Sequence, residues 1–458
     1  ESVLIKKKHF YQIFFILIFL ISSKLYAADR YWVAADDGTT KYYHDSANWS
    51  HISGGAGGKS APRLNDRVFF DDGSTVDCII SRRTEKAKVL KILSSYTGTV
   101  NLNGKRLVVA ENIALYGTLS LPANSILQTK KKTSYIYNGG TLSAENAKKI
   151  DIFSVLDIQS GGTFLAPSTG QLFFRGGFRN YGTFTHNNGT VFFGPRDNSY
   201  QVVTSGTGTG KDFYNVTKLG AKSFKMNGDM QVNNFKLQRG KWDVFGNDMF
   251  VKGNWTIYVG NRFKDSKTGT VSTVTFNGSG NQTILANHVN SRPSFENLTI
   301  SNTGGVVSLS TKNVDIDNTL TIDSGATLDI AGINLDASTL VNSGNFQLQG
   351  DETVNISTMD TDSGTVTYDG TGSYTELELG DSYYDLTFNS SGTYALDNNL
   401  DVNGALTITD GSLDVSTDNR SINVAGNWTN NDIFNSRSGT VTFDGTSTIT
   451  SGGITNNT

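Results

Sequence analysis

Leu298-Thr299-Ile300, Val307-Ser308-Leu309, Val314-Asp315-Ile316, Leu320-Thr321-Ile322, Leu328-Asp329-Ile330 and Ile333-Asn334-Leu335 follow one another, separated by turns rich in Gly, Asn, Asp and Ser. Each triplet is apolar, polar, apolar. In extended chain the two outer residues of such a triplet point one way and the middle one points the other. The same text returns at Leu400 to Val402, Leu406 to Ile408 and Leu413 to Val415. Strands of three residues joined by tight turns suit the coils of a parallel β-helix better than a sandwich, whose strands run to about five or six. Gly325 and Gly332 sit where a turn needs positive φ. A stack of antiparallel hairpins is the alternative reading.

A longer pattern overlies the triplets. Asn187-Asn188-Gly189-Thr190-Val191-Phe192-Phe193-Gly194, Ser272-Thr273-Val274-Thr275-Phe276-Asn277-Gly278, Ser363-Gly364-Thr365-Val366-Thr367-Tyr368-Asp369-Gly370 and Ser438-Gly439-Thr440-Val441-Thr442-Phe443-Asp444-Gly445 repeat one phrase. Its central residues, Val191, Val274, Val366 and Val441, mark a loose long period. A second phrase follows the first three: Phe213-Tyr214-Asn215-Val216-Thr217, Phe295-Glu296-Asn297-Leu298-Thr299 and Tyr384-Asp385-Leu386-Thr387-Phe388. Such a chain buries apolar faces between neighbouring units. The expected repeats are 98–212, 213–294, 295–383 and 384–458, the last unfinished, so the chain reads as a fragment.

The first residues read as a secretory signal peptide over 1–27. Lys6, Lys7 and Lys8 precede the apolar run Ile13 to Ile21, and Leu25-Tyr26-Ala27-Ala28 offers a cleavage site. The run is too short for the roughly 20 residues of a spanning helix, so no transmembrane segment is expected in the mature chain. Abundant Gly, Thr, Ser, Asn and Asp with few Pro describe brief strands and turns. Glu85 to Ser94 fits a basic amphipathic helix in isolation, but strand text flanks it on both sides. Cys78 is the lone cysteine, which excludes an intrachain disulfide, and its place beside Ile79 and Ile80 suggests a buried strand position. Residues 28–97 are richer in aromatic and charged residues and read as a capping module covering the first coil.

Tyr31-Trp32-Val33, Asn48-Trp49-Ser50, Ser53-Gly54-Gly55-Ala56-Gly57-Gly58 and Val68-Phe69-Phe70-Asp71, followed by Gly-Asn-Trp and Gly-Thr-Val-Thr-Phe-Asp-Gly repeats, form an ordered constellation. It resembles large secreted bacterial β-strand-repeat proteins of the adhesin and autotransporter-passenger type. The resemblance implies a parallel β-helix displayed at the cell surface and brings no catalytic residues with it.

Charge divides the chain. From Val271 onward four basic side chains (Arg292, Lys312, Arg420 and Arg437) face 22 acidic ones, while the part before it holds 35 basic and 20 acidic. Overall charge near −3 and export argue against a nucleic-acid partner. Ca²⁺ is the candidate cofactor of the acidic part: Asp315 and Asp317 share one side of a strand, and Asp360-Thr361-Asp362-Ser363-Gly364 begins like a calcium loop. That loop lacks its fifth-position carboxylate and twelfth-position Glu, and solubility of an exposed fibre is the competing account. Arg82, Arg83, Arg175, Arg179 and Arg196 are candidate contacts to acidic polysaccharide. Gly206 to Asp212 fails as a phosphate loop, because Ser205 stands in place of its first Gly and Asp212 in place of its Ser or Thr.

Trp49, Trp255 and Trp428 are the candidate ligand-contact aromatics. Trp255 and Trp428 recur in Gly-Asn-Trp-Thr, and Phe346 takes the same place in Gly344-Asn345-Phe346. A residue tied to a repeat is more often core than sugar platform, so the two readings compete. The sequons at Asn254, Asn297 and Asn427 fall out of the same repeat text. The expected function is non-catalytic: a secreted or surface solenoid, adhesin-like or structural, contacting surface polysaccharide or other cells. The alternative is a polysaccharide lyase or hydrolase, for which Asp229, Lys236, Arg239 and Asp243 lie close enough in sequence to meet. Against it, none of His44, His51, His186 and His288 stands out as matched to a nucleophile.

Overall fold

A computed structural model describes residues 27–194, 201–258, 262–286 and 294–456. Residues 1–26 of the signal peptide expected over 1–27, together with Arg196, His288 and Arg292, lie outside the described residues. The fold is all-β, a parallel β-solenoid with about 17 turns described. It resolves into two compact units, one ending at Pro167 and one beginning at Ser168.

In the first unit each coil is three short strands. Val89–Ile92, Thr99–Asn101 and Arg106–Val109 make one coil, and Ile113–Leu115, Thr118–Ser120 and Ile126–Thr129 make the next. Each of these strands pairs in parallel with its counterpart one coil on, so like residues stack. Leu107, Leu127 and Ile150 form one buried column, and Val100, Leu119, Leu142 and Phe164 form another. Each step along these columns advances the chain by one coil. Each buried Leu or Ile contributes about 1.5–3 kcal/mol, which is how a core one coil thick sustains itself.

The Glu85 to Ser94 stretch is extended, as Thr84–Ala87 and Val89–Ile92. Cys78 is buried in the strand Cys78–Ile79. The ladders run through residue 97 without a break: Arg67–Phe70 stacks on Val89–Ile92, and Thr84–Ala87 stacks on Arg106–Val109. Asp29–Trp32 adds in parallel to Arg67–Phe70 and carries the short strand Trp49–Ser50 antiparallel on its other side. An outer strand this short leaves little edge for another chain to pair with. Behind it Trp32, Tyr43, Trp49 and Phe70 are fully buried, and the two indoles donate to Val76 O at 2.9 Å and Tyr43 O at 2.7 Å.

In the second unit one buried column runs through Leu328, Phe346, Val366, Leu386, Leu406 and Trp428, again one coil per step. The two linked phrases are neighbours in register: Val191 faces Val216, Val274 faces Leu298 and Val366 faces Leu386. The structural repeat is therefore one coil. The longer spacing of the phrase spans several coils, and the phrase does not return to one ladder, since Val366 follows Phe346 while Val441 pairs with Ile422.

The sequon asparagines have a structural duty in this unit. Thr283 N–H donates to Asn254 Oδ1 at 2.9 Å, Thr319 N–H to Asn297 Oδ1 at 3.2 Å and Thr448 N–H to Asn427 Oδ1 at 2.9 Å. Each amide satisfies a main-chain donor in the next coil, where the ladder begins and no strand partner is available.

Candidate functional site

In a stacked coil the outward residues also form columns, and on one face of the first unit two neighbouring columns carry aromatic side chains. Tyr31, Phe69, Lys91, Ala114, Tyr135 and Asp157 are successive register partners. Beside them runs a corner column. Leu93, Tyr116, Tyr137 and Gln159 each follow the end of a strand, and each donates its N–H one coil back, to Phe70, Ile92, Leu115 and Ile136 respectively, at 2.8–2.9 Å.

This common geometry brings the rings together. Tyr116 and Tyr137 stack with centroids 4.2 Å apart and planes 5° from parallel, and Tyr135 lies 5.3 Å from Tyr137 at 20°. The turn after Tyr137 is fixed by two glycines: Gly139 has φ +76°, and a Cβ on Gly140 would fall 2.1 Å from Leu115 O.

Ala114 is the smallest side chain of its column. Between its register partners Lys91 and Tyr135 it leaves a cleft of about 440 Å³, lined also by Asn112, Tyr116 and Tyr137. The three tyrosines are half-buried and Lys91 is exposed. Burial, reinforced by the neighbouring Tyr116 phenol, pushes the Tyr137 hydroxyl up to about 12. The cleft thus offers flat π-faces, phenolic and amide hydrogen-bonding groups and one ammonium. Those are the means of holding a saccharide, with apolar ring faces against tyrosine and hydroxyls to polar edges.

The sequence-selected aromatics stand elsewhere. Trp49 and Trp255 are fully buried and Trp428 is 6% exposed. Trp255 packs between Phe235 at 4.5 Å and Phe263 at 4.6 Å, and Trp428 lies against Phe434 at 4.9 Å. Their ring faces are covered by protein, so as folded they are core side chains with no face open to a sugar. Tyr135 and Tyr137 carried a usable signal, because the alternation Ser134-Tyr135-Ile136-Tyr137 turns both tyrosines away from the buried Ile136.

Other candidate groups are already engaged. Asp243 accepts from Ser266 N–H and its hydroxyl, and pairs with Lys264 at 3.5 Å. Asp229 accepts from Asp248 N–H, while the Lys236 ammonium lies over Tyr258, 4.9 Å from its centroid, so these groups do not converge. Asp360 accepts from Asn342 N–H, Asp362 N–H and the Ser363 hydroxyl. Among the described residues no group of three or more His, Cys, Asp or Glu is arranged to hold a metal ion. Lys211 reaches Asn180 O and Gly182 O with its ammonium, tying down the loop that looked like a phosphate binder. Arg82 and Arg83 are exposed, and Arg175 lies over Phe173, 5.0 Å from its centroid. No helix among the described residues is long and apolar enough to cross a membrane.

No protein-family model, curated protein or solved structure gives a significant match to this chain.

Proposed function

We propose that this chain is an exported, adhesin-like surface protein that binds saccharide without chemically altering it, using the tyrosine cleft around Ala114. The observation that carries the reading is the pair of adjacent outward columns, in which Tyr116, Tyr135 and Tyr137 stay half-exposed around a gap. Half-exposed stacked aromatics gain by covering their remaining faces, and pyranose rings supply matching apolar faces. The solenoid contributes rigidity, since every cleft residue is fixed by the same ladder that fixes the core, and little entropy is lost on binding. Export rests on the leader read in the sequence, and cell-surface display on the resemblance to adhesin-type repeat proteins.

The test is a glycan-array and whole-cell binding screen of the chain beside its Tyr116→Ala and Tyr137→Ala variants, with folding checked by circular dichroism. Binding by wild type and its loss in equally folded variants is the expected result. Saccharide binding that survives both substitutions would move the site off this face.

A further inference from the structure

We infer that the saccharide held in this cleft is anionic, bearing carboxylate or sulfate, with Lys91 as the group that selects it; the inference rests on the cleft being a saccharide site. Lys91 projects from the outward column immediately beside Ala114, and its ammonium lies over the Phe69 ring, 5.7 Å from the centroid. Among the described residues no carboxylate lies within 4 Å of that ammonium, so its charge is not neutralised by an internal partner. An aromatic face orients a cation while leaving its outer N–H groups available.

Lys91 is the one charged side chain among the residues that line the cleft. Asn112 lines the cleft, and the N–H groups of Lys130, Lys131 and Lys132 all point at the carbonyl of its neighbour Glu111, at 3.2–3.4 Å. The Glu111 carboxylate holds the Lys132 ammonium at 2.8 Å and that of Lys88 at 4.0 Å. Lys130, Lys131 and Lys132 are exposed and outnumber the single Glu111 carboxylate beside them, but they are not among the residues that line the cleft. At the far end of the column Asp157 is 4% exposed and accepts from Gln159 Nε2 at 2.5 Å, and its negative charge acts on the neighbouring Tyr137 hydroxyl. A cleft lined by one sign of charge concentrates ligands of the other and favours their capture.

The test uses hyaluronan hexasaccharide and its carboxyl methyl ester, which share a backbone and differ in charge, titrated by calorimetry into wild type, Lys91→Gln and Ala114→Trp. The expected result is that wild type binds the acid at least tenfold more tightly than the ester. Lys91→Gln should lose about tenfold on the acid alone, Ala114→Trp should bind neither by filling the gap, and 0.5 M salt should weaken only the acid. Equal, salt-insensitive binding of acid and ester, lost in Ala114→Trp but not in Lys91→Gln, would overturn the anionic inference while leaving the saccharide cleft in place. Binding of neither probe by folded wild type, together with no hit of any charge on the array, would overturn both.

Discussion

Tyr116 and Tyr137 sit one coil apart and present parallel rings 4.2 Å from each other, because each donates its main-chain N–H to the strand end of the coil before it. The stack is a by-product of ladder register, and it makes the solenoid's repeat legible on its surface.

Replacing either tyrosine with Ala should cost the fold no more than about 1 kcal/mol, since both rings are half-exposed. Saccharide affinity should fall at least tenfold. With its hydroxyl pushed up to about 12, Tyr137 should stay protonated from about pH 6 to 10, and wild-type binding should not follow its ionisation in that range. Calorimetric titrations across that range, beside urea melts, check both statements.

Trp255→Ala should destabilise the second unit by about 3–5 kcal/mol, the cost of emptying a large aromatic site. Trp255→Phe should cost far less. The indole N–H of Trp255 is buried and has no acceptor, so losing it forfeits no hydrogen bond. Denaturant midpoints of the two variants decide the matter, and a Trp255→Ala protein as stable as wild type would contradict the core assignment.

Glu85 occupies an inward position whose register partner is Leu107, and one of its carboxylate oxygens is buried with no hydrogen-bond partner. Burial raises its pKa, with the Arg82 charge opposing the rise. A carboxyl raised in the folded state contributes stability that is complete below the unfolded value of about 4.3 and is lost as pH rises through the folded one. Glu85→Leu, continuing the Leu107 and Leu127 column, should therefore be more stable than wild type at neutral pH by about 1–3 kcal/mol. The advantage should shrink on acidification, as read by urea unfolding at pH 4 and pH 7.

Lys218 is fully buried, and its ammonium donates to Leu219 O, Gly220 O and Arg239 O at 2.7, 2.9 and 3.3 Å. Burial brings its pKa down to about 8. A depressed lysine contributes stability that is present above the unfolded value of about 10.4 and lost as pH falls through about 8. Lys218→Met should flatten this rise between pH 8 and 10. It should also leave three carbonyls unsatisfied, at about 1–3 kcal/mol or more in total. Thermal melts against pH for both proteins provide the comparison.

Asn427→Ala should cost about 0.5 kcal/mol, because the exposed Thr448 N–H passes to water, and Asn427→Asp, which keeps an acceptor, should cost less. Hydrogen exchange at Thr448 reports the local effect directly.

The apolar-polar-apolar triplets were sufficient for the architecture, because two inward residues per strand are what a coil requires and turn residues set its corners. Coil length was harder to read. The linked phrases look like markers of a long period, yet Val366 and Leu386 are one coil apart, and the phrase recurs because similar strands suit several ladders. Trp255 and Trp428 repeat because core positions repeat. The tyrosine cleft escaped for the converse reason: outward residues follow no period, and Lys91, Ala114 and Tyr135 become neighbours only once register is known. Alternation tells which residues face out. It does not tell which of them share a column.

Coil pitch has a mechanical side. In each unit the strands lie across the stacking direction, and the main-chain bonds between successive coils run in ladders such as the one that pairs Phe346 with Val366 and Val366 with Leu386. A pull along that direction meets the ladders bond by bond, so coils peel away singly under modest tension instead of shearing as a block. Each released coil, about 20 residues long, yields roughly 70 Å of slack at about 3.3–3.6 Å per residue. A tether built this way gives way in instalments, and it can re-form coil by coil when the load is removed.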